Sequence, residues 1–267
     1  MDRLQKALDL ARMERKVATV HPAAARLVPV NAQDGAVVSR TRTVAVDRNV
    51  LRKNGVIPAE IGGKLGPAFK MLRTRVLQRM HQRGWNTLAV VSATPKDGKT
   101  FTAINLAIAI AGDTEHTALL VDLDLLNPSV HRRFGIRPEV GIEQCLRGEA
   151  PISAALINPH GYPKLRLLPA REPVASSSEL LCSERARRIV RELKQRYPDR
   201  MVLFDLPPAL GADDALAFAP QVDAALVVVG EEHTRREDLL RCFEVLTDTP
   251  VIGTVLNASR TSPVAYV

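Results

Sequence analysis

Ala93-Thr94-Pro95-Lys96-Asp97-Gly98-Lys99-Thr100 is the stretch whose reading decides the fold. It has the spacing of a phosphate-binding loop, with Ala93 where the first glycine usually stands, Gly98 before the lysine, then Lys99 and Thr100. The apolar run Thr87-Leu88-Ala89-Val90-Val91 leads in and predicts a buried strand. The apolar run from Phe101 to Ala111 leads out and predicts a helix. A polyphosphate is best held by backbone N–H groups converging at such a helix start, where the helix dipole is positive. Gly98 lets the backbone curl closely, Lys99 reaches for β- and γ-phosphates, and the Thr100 hydroxyl suits Mg²⁺. A chance Gly-Lys-Thr in a loop is the competing reading, and the flanking strand and helix weigh against it.

Outward from the loop, apolar strands alternate with helical patterns, which predicts an α/β fold with a mostly parallel sheet and helices on both faces. Ala118-Leu119-Leu120-Val121 ends in Asp122-Leu123-Asp124, two carboxylates at the strand edge where ligands of open α/β sheets bind. Asn127-Pro128 reads as a helix start. Leu165 to Leu168 is strand-like, and Ser183 is placed to cap a helix from Glu184 to Arg196 with the core stripe Ala186, Ile189, Val190 and Leu193, continued by Tyr197. Met201-Val202-Leu203-Phe204-Asp205 predicts a strand whose terminal carboxylate orients a Mg²⁺ shell, and Pro207-Pro208 end it. Ala224 to Val229 and Val251 to Leu256 supply two more strands, with a helix from about Arg235 to Leu246 between them.

Upstream, residues 2 to 16 pattern as a short basic helix, 17 to 42 as a linker, and Arg42 to Asp47 as a short strand. Gly62-Gly63 opens into a helix from Pro67 to Gln82 with the stripe Phe69, Leu72, Val76 and Met80. Charge is uneven: residues 1–86 hold 17 Lys+Arg against 6 Asp+Glu, while the rest of the chain is slightly acidic. The expectation is a basic arm facing an acidic surface, lipid or protein. A solvated basic face without a partner fits nearly as well. Nucleic acid is not expected, because no reader motif or aromatic interleaving accompanies the charge. The three cysteines, Cys145, Cys182 and Cys242, lack metal-ligand spacing and read as small buried thiols of a reducing cytoplasm. No apolar run approaches a membrane-spanning length.

The loop at 93–100, the Asp122-x-Asp124 strand end and Asp205-Leu206-Pro207-Pro208 together resemble the bacterial tyrosine kinases of polysaccharide export (BY-kinases), relatives of the MinD/ParA group of P-loop NTPases. The phrase Leu119-Leu120-Val121-Asp122-Leu123-Asp124, with Pro128-Ser129-Val130-His131-Arg132-Arg133-Phe134-Gly135, is close to the tyrosine autokinases of exosortase-linked exopolysaccharide systems. The resemblance implies three regions: a basic arm and linker over 1–60, a kinase-like domain over 61–258, and a tail over 259–267. It implies ATP and Mg²⁺ as cofactors. Thr94, Pro95, Lys96, Asp97, Gly98, Lys99, Thr100 and Phe101 would surround the phosphates, and Asn257 would touch the adenine. Thr100, Asp124 and Asp205 would hold the metal and its water shell. Lys99, Asp122 and Asp124 would be catalytic, Asp122 as base for an incoming tyrosine hydroxyl or as a metal-shell ligand. Tyr266 is the candidate phosphoacceptor. The implied partners are a membrane chain-length determinant of the Wzz type and further copies of the chain, at the cytoplasmic face of the plasma membrane.

Three departures stand out. Leu126 occupies the position where the family usually has Arg. The family's Glu-x-x-Arg-x-x-Arg oligomerisation motif falls on Pro67, Lys70 and Arg73. The tail has one tyrosine where the family has several, and an idle tail residue fits Tyr266 as well as an autophosphorylation site does. Two alternatives to a kinase therefore stay open. One is a nucleotide-switched adaptor with little or no kinase activity. The other is a partitioning or positioning ATPase of the MinD/ParA class, disfavoured by Thr94 standing where that class has a second lysine.

Overall fold

The computed structural model describes residues 41–59, 65–196 and 199–259. The chain divides into two units, residues 1–38 and 39–267, and all described residues belong to the second. The expectations for the helix at 2–16, the linker up to residue 40, Gly62-Gly63, Tyr197 and Tyr266 lie outside the described residues.

In chain order the elements are β1 (Arg42–Val44), α1 (Arg48–Lys53), α2 (Gly66–His81), β2 (Thr87–Ser92), α3 (Lys99–Ala111), β3 (Thr117–Asp122), α4 (Val130–Phe134), α5 (Ile142–Arg147), α6 (Ile152–Ala155), β4 (Ile157–Pro159), β5 (Leu165–Leu168), α7 (Ser177–Cys182), α8 (Glu184–Arg196), β6 (Arg200–Asp205), α9 (Asp214–Phe218), β7 (Ala224–Gly230), α10 (Arg236–Val245) and β8 (Val251–Asn257). The strands form one sheet in the order β1-β4-β5-β3-β6-β2-β7-β8. Every pairing is parallel except β4 with β5.

The apolar runs explain the sheet. All six residues of β2 are buried. Leu88 and Val90 belong to one core, shared with Phe69 and Met80 of α2 and Ile104 and Ile108 of α3. Ala89 and Val91 belong to the other, shared with Ile189 and Val190 of α8 and Phe218 of α9. This period-two division puts a hydrophobic layer on each face, so helices cover both sides as expected. Each fully buried large side chain, such as Phe204 or Leu120, contributes about 1.5–3 kcal/mol. The stripe of α8 is buried as the spacing requires, and Ser183 Oγ accepts the Ala186 N–H at 3.1 Å.

The folded unit begins upstream of the expected boundary at residue 61. β1 pairs with β4, and Leu51, Val56 and Ile57 are buried in the core. The strand expected over 42–47 stops at Val44, and Asp47 instead caps α1 by accepting the Asn49 N–H at 2.7 Å. This moves the basic charge as well. Residues 1–38 hold 6 Lys+Arg and 4 Asp+Glu, whereas residues 39–86 hold 11 and 2. Most of the basicity assigned to an arm thus lies in the unit that carries the sheet. The helix expected at Asn127-Pro128 starts later, at Val130. Cys145 and Cys242 are buried thiols as expected, but Cys182, at the end of α7, is exposed. Among the described residues no helix is long and apolar enough to cross a membrane.

Candidate nucleotide site

β6 sits between β2 and β3, so three C-terminal strand ends meet at one edge of the sheet. Asp122 is in register with Asp205, and Asp205 with Val90. The loop from β2 to α3 passes over that edge. Lys96 (φ 71°) and Gly98 (φ 92°) both take the left-handed conformation. The turn at Gly98 also admits no side chain, since a Cβ there would stand 1.9 Å from Asn257 Nδ2.

Asp97, between these two residues, is fully buried and anchors the loop. Its Oδ2 accepts the Thr94 N–H (2.9 Å) and the Thr94 hydroxyl (3.0 Å). Its Oδ1 accepts from His233 Nδ1 (2.7 Å) and the Thr234 hydroxyl (2.8 Å), and its carbonyl accepts the Asn257 amide at 2.9 Å. The sequence placed Asp97 in the loop but gave it no such role, and it did not point to His233 or Thr234. Their positions become meaningful only when β7 lies beside β2.

Lys99, first residue of α3, is buried and points among the acids. Its Nζ is 2.5 Å from Asp124 Oδ2, 4.0 Å from Asp205 Oδ1 and 3.3 Å from Thr100 Oγ1. Burial works against its charge, but Asp205, Asp124 and Asp122 outweigh burial and raise its pKa. Asp122, also fully buried, is pushed up to about 8 by burial and by Asp205, against backbone donors and Lys99. Asp205 is raised too, chiefly by burial, with Lys99 opposing.

Asp122 and Asp124 do not act as an equivalent pair. The strand ends at Asp122, so the chain turns before Asp124. Asp122 Oδ2 accepts the N–H groups of Ser129 (3.0 Å) and Val130 (2.9 Å), and so holds the start of α4 from a distance. That explains why α4 begins where Asn127-Pro128 did not predict. Asp122 Oδ1 and both Asp205 oxygens are buried without a hydrogen bond. The Thr100 hydroxyl lies beside Asp205 and favours its charged form.

Among the described residues no group of three or more His, Cys, Asp or Glu side chains forms a metal cage. Mg²⁺ does not need one, since it is bound through one or two carboxylates, waters and substrate phosphates. Three buried carboxylate oxygens without hydrogen bonds beside a threonine hydroxyl fit that donor set. The Phe101 ring packs edge-on against Phe69, with centroids 5.9 Å apart, and so points into the core beside α2, away from the role expected of a phosphate neighbour.

No protein-family model matches the chain. It is 26% identical to the tyrosine-protein kinase YwqD of Bacillus subtilis over 79% of its own length and 89% of that protein. It is 32% identical to the tyrosine-protein kinase Wzc of Salmonella typhimurium over 60% of its length, covering 22% of Wzc. The chain thus matches nearly all of YwqD but under a quarter of Wzc. Among solved structures, the VpsO kinase domain aligns with a TM-score of 0.65 at 26% identity, covering 74% of this chain and 96% of that domain. Cobyrinic acid a,c-diamide synthase from Mycobacterium smegmatis, with bound ATP analogue and magnesium, aligns with a TM-score of 0.54 at 25% identity over 66% of this chain and 77% of the enzyme. The chain is thus a homologue of bacterial tyrosine-protein kinases and has the P-loop NTPase fold of their kinase domains.

Proposed function

We propose that the chain is an ATP-dependent protein-tyrosine kinase of exopolysaccharide assembly, transferring the γ-phosphoryl of Mg-ATP to a tyrosine hydroxyl. The observation that carries this reading is Lys99 at the start of α3, within 4.0 Å of Asp124 and Asp205 at one sheet edge. In the proposed mechanism the backbone of residues 94–101 cradles the phosphates and Lys99 neutralises charge on the transferring group. Asn257 borders the adenine. Thr100, Asp124 and Asp205 would hold Mg²⁺ and its waters, and the ion would supply positive charge beside the phosphates. Asp122 Oδ1 accepts the tyrosine proton. Burial and Asp205 push its pKa up to about 8, so the ionised fraction able to take that proton grows as pH rises toward 8. Tyr266, in the proposed tail at 259–267, is the acceptor. The partner is a membrane chain-length determinant, met at the inner face of the plasma membrane.

The test is to incubate the purified chain with Mg-ATP and probe for phosphotyrosine, with Lys99→Met as control. The parent is expected to become phosphorylated and the variant to lose at least a hundredfold in rate, as when a charged transition-state contact is removed. Equal signal from both ends the kinase reading.

A second reading, a nucleotide-switched adaptor, is favoured by one specific observation. Arg73, the surviving arginine of the expected oligomerisation motif, turns inward. It donates to the Ala109 carbonyl at 3.4 Å and lies 3.9 Å from Asp113. An adaptor would bind ATP, lack phosphotyrosine and change its affinity for the membrane partner with nucleotide.

A further inference from the structure

We propose that His233 is a positioning residue of the nucleotide site, acting through Asp97 to hold the phosphate loop in its binding form. The proposal rests on the reading of residues 94–101 as a nucleotide loop and does not depend on phosphoryl transfer to tyrosine.

The loop must keep Lys96 and Gly98 in left-handed conformations, and a non-glycine residue such as Lys96 does not hold φ 71° without outside help. That help arrives at Asp97, the residue between them. Its carboxylate is completely buried, and burying a carboxylate is costly unless hydrogen bonds compensate. Thr94 supplies two donors from within the loop. His233 and Thr234 supply two from the turn between β7 and α10. The Thr234 hydroxyl in turn accepts the Gly230 N–H at 2.8 Å, which fixes the turn to the end of β7. Gly230 leaves room for this, because a Cβ there would stand 3.0 Å from Asp97 Oδ1 and 3.2 Å from His233 Cβ.

The two outer donors differ in how they are held. Thr234 has a second bond to the backbone, so its removal also frees Gly230. His233 has a side chain 50% exposed, against 0% for Asp97. Its loss opens no cavity and removes one donor from the buried carboxylate. Asp97 is then held by three donors in place of four, and the 96–98 turn loses part of its outer support. The Nδ1 contact also requires the ring to carry its proton there, as donor to Asp97.

The test measures affinity for ATP, in the presence of Mg²⁺, by calorimetric titration of the full chain, its His233→Ala variant and its His233→Asn variant. The asparagine amide nitrogen falls near the position of Nδ1 and can donate to Asp97. His233→Ala is expected to bind ATP about tenfold more weakly, the loss typical of one hydrogen bond to a charged group. His233→Asn is expected to recover to within about threefold of the parent by the same bond. Melting temperatures without nucleotide are expected to agree within about 2 °C, as for a substitution on an exposed side chain. Equal affinity in the parent and His233→Ala overturns the proposal. Equal loss in both variants also overturns it, because the ring and not the bond to Asp97 would then matter. A parent that binds no ATP overturns the nucleotide reading together with this one. A parent that binds ATP without making phosphotyrosine overturns only the kinase reading.

Discussion

Asp122 carries two tasks with two oxygens. Oδ2 is committed to the first N–H groups of α4, and Oδ1 is left buried without a hydrogen bond opposite Asp205. Burial and the neighbouring acid raise its pKa from 3.8 to about 8, so the folded chain keeps a proton that the unfolded chain releases. Stability must therefore fall as pH rises through that interval, and Asp205, also raised, acts in the same direction. The melting temperature of the nucleotide-free protein is expected to decline between about pH 5 and pH 8, and Asp122→Asn to flatten that decline. A variant with the parent's slope would show that Asp122 is charged in the fold throughout. The sequence announced Lys99, Thr100, Asp124 and Asp205 because spacing and strand ends are local signals. The role of Asp122 as a remote cap, and of Asp97 as an anchor for the turn after β7, depends on contacts across 7 and 136 positions. No local pattern encodes such contacts.

At the scale of elements, α3 is tied to the upstream segment by one side chain. Asn105 interrupts the apolar run of α3 and is buried. Its Oδ1 accepts the Ile57 N–H at 2.8 Å and its Nδ2 donates to the Gly55 carbonyl at 2.9 Å. Asn54 adds a second tie, donating to the Arg133 carbonyl at 3.0 Å at the end of α4. Asn105→Ala leaves a backbone donor and a backbone acceptor without partners in the core. The expected cost is about 2–5 kcal/mol, read as a lower denaturant midpoint at unchanged slope. A loss under about 0.5 kcal/mol would mean that the segment is not docked on α3. A lone asparagine in an apolar helix was a visible signal, since a buried polar group must find partners. Long elements such as α2, α3 and α8 were legible from their stripes. The four- to six-residue helices α5, α6, α7 and α9 were not, because one turn or so is too short to show a period.

For the whole molecule, the decisive question is where the folded unit starts. The resemblance placed the start at residue 61, and just upstream of it the sequence offered only a short strand over Arg42 to Asp47. Packing puts it near residue 41. β1 extends the sheet beside β4, and Tyr162 donates its hydroxyl to the Ile57 carbonyl at 2.9 Å. Leu51, Val56 and Ile57 are each buried, and each such side chain contributes about 1.5–3 kcal/mol. Their summed contribution approaches the whole net stability of an ordinary domain, roughly 5–15 kcal/mol. Two truncations separate the boundaries. A chain starting at residue 41 is expected to unfold cooperatively, with a melting temperature within a few degrees of the parent. A chain starting at residue 61 exposes the apolar surface under α1 and leaves Asn105 without the Ile57 N–H and Gly55 carbonyl, and is expected to aggregate or to melt at least about 10 °C lower. If the shorter chain matched the longer one in melting temperature and ATP affinity, the upstream segment would be a passenger on the sheet and the boundary at 61 would stand.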